Sequence, residues 1–338
     1  MRGVIERILT QADPGGDPGE ALVAADWCLR RGDRATAASM LDRAHGLDPG
    51  DAQLAARRVS LLDTLAITEH GLCWRYVPAG AFLMGSAHGE ADERPVHRVE
   101  LDAFWIMDTP ITWAAYTTLL GWRSPTEPAE ALDRDDEQLP EHLRQIWYVA
   151  KMWRQYSELK EDEPAPAPSP AGARAGAHPR YDAKPLVAVG PVHAEHLAER
   201  MTQGGTSFEL PSEARWEKAA RGGRIGARYA WGDEPPTPRR CDFDHFGDFH
   251  LVPTRSLPPN GYGLYGCCGG VWEWTSSEYD ALAYHSGRSA PNPEGARVLR
   301  GGSFTDPAPA VTVSYRMSRA PERYDSPNLG FRLCRLAV

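Results

Sequence analysis

Apolar residues recur at helical spacing between residues 18 and 66. Ala21, Ala24, Ala25, Cys28 and Leu29 form one stripe, and Ala37, Leu41 and Ala44 form the next. This period predicts amphipathic helices. Gly32-Asp33 interrupts the first helix and Leu47-Asp-Pro-Gly-Asp51 the second, because glycine and proline end helical runs. The alanines are small enough for two helices to approach closely. A segment of this size buries too little apolar surface alone, so we expect it to pack on the rest of the chain or on a partner.

The texture changes at Trp74. Trp74-Arg-Tyr-Val-Pro-Ala-Gly-Ala-Phe-Leu-Met-Gly85 alternates around a Pro-Ala-Gly-Ala turn, which predicts a β-hairpin. Two further helices are expected over 112–120 and 212–221. Ser212 is placed to cap the second, and Glu213 to favour its positive end. Residues 140–159 predict a helix with an aromatic face of Trp147, Tyr148, Trp153 and Tyr156. The Ala/Pro-rich run over 161–178 reads as an extended connector. With 32 glycines and 29 prolines, the chain suits a loop-rich α+β domain better than a doubly wound sheet.

Composition narrows the function. A net charge of −9 disfavours a nucleic-acid surface. No apolar run reaches the length of a membrane span, and Met1-Arg-Gly-Val-Ile-Glu-Arg-Ile8 is charged too early for a secretory signal. A cytoplasmic location is the expectation. The cysteines, Cys28, Cys73, Cys241, Cys267, Cys268 and Cys334, have no metal-finger spacing. Vicinal Cys267-Cys268 reads as two small buried residues beneath the Trp272 and Trp274 segment, or as a strained disulfide or soft-metal pair.

Ordered blocks then resemble a known family. They include Tyr76-Val-Pro-Ala-Gly-Ala-Phe-Leu-Met-Gly85, Glu93-Arg-Pro-Val-His-Arg-Val99, Phe208-Glu-Leu-Pro-Ser-Glu-Ala-Arg-Trp-Glu-Lys-Ala-Ala-Arg-Gly222 and Tyr229-Ala-Trp-Gly232. Asn260-Gly-Tyr-Gly-Leu-Tyr265, Gly269-Gly-Val-Trp-Glu-Trp274, Arg297-Val-Leu-Arg-Gly-Gly-Ser-Phe304 and Asn328-Leu-Gly-Phe-Arg332 follow. Together these resemble the formylglycine-generating enzymes, or sulfatase-modifying factors, over about 74–335. The resemblance implies an α+β, C-type-lectin-like fold. It implies a domain over 71–338 with an insertion at about 122–183, preceded by a helical segment over 1–70. In that segment Gly32, Ala37, Leu41, Ala44 and Pro49 resemble one helix of a tetratricopeptide repeat.

The same resemblance sets the expectations for chemistry. The family oxidises a substrate cysteine with a reactive cysteine pair that binds copper. Counting from Gly301 puts Val311 and Arg316 at the pair's positions, and 302–319 contains no cysteine. Valine and arginine do not replace thiolates toward Cu(I). A structural Ca²⁺ held through Glu273 and the carbonyls of Gly269 and Val271 is a further implication. A second calcium loop would fall near Asp242-Phe-Asp-His-Phe-Gly-Asp248. The alternative for Glu273 is a buried carboxylate paired with Arg300 or Arg332. A ligand-binding surface is expected at Trp272, Ser303, Tyr315, Arg316 and Arg319, for a peptide, a protein or a small anionic ligand, since arginine pairs with carboxylates.

Two other motifs are weaker. Gly261-Tyr-Gly-Leu-Tyr-Gly266 has dinucleotide spacing without the flanking strand and helix that such a site needs. His193 and His196, with Glu199, sit at helical spacing for a metal or for a solvated face. The expected function is a non-catalytic ligand- or protein-binding member of the family. The competing expectation is a metal- and oxygen-dependent oxidase or hydroxylase with a rebuilt site, acting on a peptide or natural-product intermediate.

Overall fold

The structure, a computed structural model, describes residues 17–121, 183–202, 205–246, 251–285, 290, 292, 294–324 and 326–336. The helix expected over 140–159 and the Ala/Pro-rich run lie outside the described residues, as does nearly all of the insertion.

The chain begins with α1 (Pro18–Arg30), α2 (Arg34–Leu47) and α3 (Ala52–Leu65). Asp17, Asp33 and Asp51 cap them, each accepting a backbone N–H from the first turn, which satisfies otherwise orphaned donors. Ala21, Ala24, Ala25, Leu41 and Ala44 are fully buried between α1 and α2, so the alanine stripes serve close helix approach. Leu62 and Ala38 belong to the same apolar cluster as Tyr76, Phe104, Trp216 and Ala220. The helical segment therefore packs on the body. At that contact the buried Arg58 guanidinium binds Asp42 Oδ1 from Nε at 2.7 Å and Gly222 O from Nη2 at 2.8 Å.

The body is a mixed α+β fold. A five-stranded sheet runs in the order β1 (Ile67–Glu69), β2 (Leu72–Val77), β5 (Phe104–Met107), β11 (Cys334–Leu336), β6 (Phe208–Glu209). A four-stranded sheet orders β10 (Leu329–Gly330), β7 (Trp272–Glu278), β8 (Arg297–Arg300) and β9 (Arg316–Arg319). β3 (Gly80–Met84) and β4 (His97–Leu101) form a separate ribbon. The expected hairpin at 74–85 is thus corrected: β2 pairs with β1 and β5, while β3 pairs with β4. The alternation specifies two strands, but the turn between them carries the chain from one sheet to another.

α4 (Trp113–Leu120), α5 (Pro191–Met201) and α6 (Glu213–Arg221) are the other α-helices among the described residues, with short 3-10 turns at Ala91–Glu93 and Ala308–Val311. Thr112 caps α4 and Ser212 caps α6, accepting from Arg215 N at 3.2 Å. Trp74, Trp113, Trp272 and Trp274 are fully buried in the main core. No helix among the described residues is long and apolar enough to cross a membrane.

His45, on α2, is 5% exposed, and its Nδ1 has no hydrogen-bond partner among the described residues. Burial lowers its pKa first, and Arg58 and Arg224 lower it further, against Asp42 and Asp48. The unfolded chain therefore takes up this proton at a higher pH than the folded one, so stability is full above about pH 6.5 and falls as pH drops below it. Urea unfolding at pH 7.5 and 5.5 should show a loss of stability at the lower pH that is smaller in His45→Gln. Equal pH dependence in both proteins would refute this.

Candidate functional site

The surface expected to carry function is built where β7 starts, β8 ends and β9 starts. After β8, Gly301 and Gly302 adopt φ of 96° and 71°. A Cβ on Gly302 would stand 2.7 Å from Ala310 O and from Val311 Cγ1, so only glycine permits this turn. The turn aims Ser303 at a polar group. Ser303 N donates to Asp306 Oδ2 at 3.0 Å, and the Ser303 hydroxyl binds the same oxygen. Asn328 Nδ2 donates to Ser303 Oγ and to Thr305 Oγ1, both at 3.1 Å.

The acidic loop 242–246 is pinned alongside. Asp244 N donates to Asp306 O at 2.9 Å, and His245 N to Phe304 O at 2.8 Å. Phe246, at the end of this stretch, is 90% exposed. Tyr315 flanks the group and packs on the buried Trp272, with ring centroids 5.9 Å apart. Burial raises the Tyr315 pKa first, and the charges of Glu90, Asp92, Glu93 and Asp306 raise it further. Trp272, Ser303 and Tyr315 are brought together, with Thr305, Asp306 and Asn328 as polar members that sequence reasoning missed. Of these, Asn328 stands in the Asn-Leu-Gly-Phe-Arg block, which could have signalled it.

Arg316 points the other way, into the protein. Its Nε and Nη2 donate to Glu213 at 2.6 and 3.0 Å, and Nη1 donates to Asp92 O at 2.9 Å. The guanidinium lies between Tyr279 and Tyr284, with centroids at 5.1 and 4.6 Å. The expectation that Arg316 meets an anionic ligand is therefore corrected: Glu213, at the start of α6, already supplies its carboxylate. Arg319 is half-buried and donates from Nε to Arg323 O, tying β9 to the following turn.

A second buried network lies beneath the same segment. Arg300 donates to Val313 O, Ser314 O and Tyr315 O at 2.8, 2.5 and 2.8 Å and pairs with Glu217. Glu217 also accepts from Arg221 Nη2 at 2.6 Å and from Gly85 N at 2.8 Å. Despite full burial, these partners hold Glu217 below the usual carboxylate range. Arg300 and Arg316 therefore set the path of 313–316 from inside.

The metal expectations meet occupied donors. Glu273 Oε1 accepts from Arg332 Nη2 at 2.7 Å, while Oε2 accepts from Arg332 Nε at 2.6 Å and Trp216 Nε1 at 2.8 Å. Both oxygens are spent on a cation and an indole, so Glu273, Gly269 and Val271 as arranged do not fit Ca²⁺, which needs six to eight free oxygens. This is the Arg332 alternative for Glu273. In the second loop, Asp242 Oδ2 accepts from Val252 N at 3.3 Å. Among the described residues no cluster of three or more His, Cys, Asp or Glu side chains suits a metal.

Val311 is fully buried in the core, and all six cysteines are free thiols. Burial pushes Cys267 up to about 11, and Cys241, Cys268 and Cys334 well above their usual value, so these thiols stay protonated and unreactive. Cys267 and Cys268 pack in the cluster with Trp216 and Tyr229, not as a disulfide. The helical histidines also separate. His193 is fully buried, its Nδ1 accepting from Gly190 N at 2.9 Å, while His196 and Glu199 are exposed.

Comparison with known proteins matches this sequence to one family. Residues 74–337 match the sulfatase-modifying factor enzyme 1-like domain. The chain is 34% identical over 294 residues to the formylglycine-generating enzyme of Streptomyces coelicolor, covering 76% of this chain and 87% of that protein. It is 31% identical over 281 residues to the inactive C-alpha-formylglycine-generating enzyme 2 of Mus musculus, covering 76% and 83%. The fold is similar to Treponema denticola variable protein 1, with a TM-score of 0.53, 18% identity and coverage of 80% of this chain and 97% of that one. It is also similar to PvdO from Pseudomonas aeruginosa, with a TM-score of 0.52, 21% identity and coverage of 80% and 98%.

Proposed function

The chain belongs to the sulfatase-modifying factor family, and we propose that within it the protein is a non-catalytic binding member, not a formylglycine-generating oxidase. One observation carries this reading: residues 302–319 contain no cysteine, and the two counted positions hold a core valine and a salt-bridged arginine. Family chemistry needs a thiolate pair for Cu(I) there, and neither side chain substitutes for it. An inactive relative at 31% identity supports loss of the chemistry on a kept scaffold.

The binding surface in this reading is the group around Tyr315, with half-buried Thr305, Asp306 and Asn328 beside the aromatic ring and Ser303 buried beneath them as their support. Arg316 is spent internally, and the charges of Glu90, Asp92, Glu93 and Asp306 act on Tyr315. A peptide or protein ligand with hydroxyl or basic groups suits that surface better than a small anion. Aromatic anchors flanked by satisfied polar groups are typical of recognition sites.

The test pairs chemistry with binding. A Cys-x-Pro-x-Arg peptide incubated with the protein, copper and oxygen should keep its thiol in mass spectrometry, and purified protein should carry no stoichiometric iron or copper. A mass loss matching thiol-to-aldehyde conversion, or oxygen uptake with bound redox metal, overturns the reading. Peptides selected on the protein should lose about 1–3 kcal/mol of affinity with Tyr315→Ala, with melting unchanged.

A further inference from the structure

A cavity of about 220 Å³ lies between α2, the β3–β4 ribbon and the end of α6. It is separate from the Tyr315 surface, and none of its wall residues takes part there. Its walls are of two kinds. Met40, Leu47, Phe82 and Leu83 supply apolar surface, while Lys218 and Arg224 supply positive charge beside the Arg98–Glu100 ion pair.

We propose that this cavity binds a small monocarboxylic acid with a short apolar chain. The size argues for a small organic molecule: about 220 Å³ lies below the roughly 300–1,000 Å³ of pockets that hold drug-sized ligands. The charge argues for an anion. Lys218 is 3% exposed and donates from Nζ to Pro78 O at 2.7 Å and Gly80 O at 2.8 Å. An ammonium carries three N–H groups, so two carbonyls do not exhaust it.

The acids on the same walls are already committed. Asp42 Oδ1 accepts from Arg58 Nε at 2.7 Å, and Oδ2 accepts from the Tyr262 hydroxyl at 2.7 Å. Glu100 Oε2 accepts from Arg98 Nη2 at 2.8 Å. A buried ammonium without a carboxylate of its own is costly. Burial accordingly lowers Lys218 to about 8, against the more distant pull of Asp42, Glu100 and Asp102. A bound carboxylate supplies the missing counter-charge, and the apolar wall takes the chain.

Titration calorimetry with octanoate at pH 7 tests this on the full chain. Saturable binding at one site is expected, with octanol and inorganic phosphate at least about tenfold weaker. Binding should weaken above pH 8, as Lys218 loses its proton. Ser39 lines the cavity, and its hydroxyl bonds Ala35 O of its own helix at 3.4 Å. Ser39→Phe therefore fills the space and should abolish octanoate binding while the protein still melts cooperatively. Lys218→Met should weaken octanoate by about tenfold or more, and Arg224→Gln provides the charge test if that variant does not fold. Octanol binding as well as octanoate, no saturation, or unchanged octanoate binding by Ser39→Phe overturns the proposal.

Discussion

Glu217→Ala is expected to destabilise the body by about 3–5 kcal/mol. The residue is fully buried at the centre of α6, where it pairs with Arg300 and Arg221 and accepts the Gly85 amide. Removing the carboxylate takes from Arg221 its carboxylate partner and leaves Arg300 with only Glu213, whose Oε1 lies 3.8 Å from Arg300 Nη1. Breaking a buried pair by deleting one partner is far more costly than replacing the whole pair with apolar residues. The effect should appear as a lower urea midpoint with unchanged slope and as a drop in melting temperature of roughly 10 °C. Because Arg300 also holds the carbonyls of Val313, Ser314 and Tyr315, amide exchange should quicken most in 313–316. A loss below about 1 kcal/mol would mean that the network is solvated and does not organise the segment.

Arg58→Met is expected to release the helical segment from the body. Arg58 is 1% exposed, stacks 4.8 Å from the Tyr262 centroid, and reaches Asp42 within the helices and Gly222 O and Gly261 O in the body. The fit is close: a Cβ on Gly261 would stand 2.4 Å from Gly222 O, so the two loops meet backbone to backbone around the guanidinium. Methionine fills part of the volume but leaves Asp42 with only the Tyr262 hydroxyl. A cost of about 3 kcal/mol follows from a buried charge left without its partner. Limited proteolysis should then cut within 18–65 faster, while the body keeps its own unfolding transition. Unchanged protection of those helices would show that apolar contacts through Leu62 and Ala38 suffice to hold them.

Much of this protein is written locally. The alanine stripes at 21–25 and 37–44, the aspartates and the serine before helices, and the glycines at 301–302 each act through neighbours a few residues away. Their consequences follow from backbone geometry and spacing, so the helices and the Ser212 cap are legible, whereas the turn at 78–81 reads as a hairpin that the sheets do not form. The ordered blocks sufficed for the family, and the missing cysteines for the doubt about its chemistry, because an absent functional group needs no coordinates.

What only the folded chain decides is which partner each charge meets. Arg316 finds Glu213 across 103 residues of sequence, and Arg332 finds Glu273 across 59. No local pattern distinguishes an arginine waiting for a ligand from one already neutralised, since both carry the same donors. The tertiary structure likewise splits the strands at 72–84 between two sheets and closes a cavity from α2, β3, β4 and α6. Those outcomes depend on how distant surfaces pack, because burial makes an unpaired charge or an unmatched strand costly.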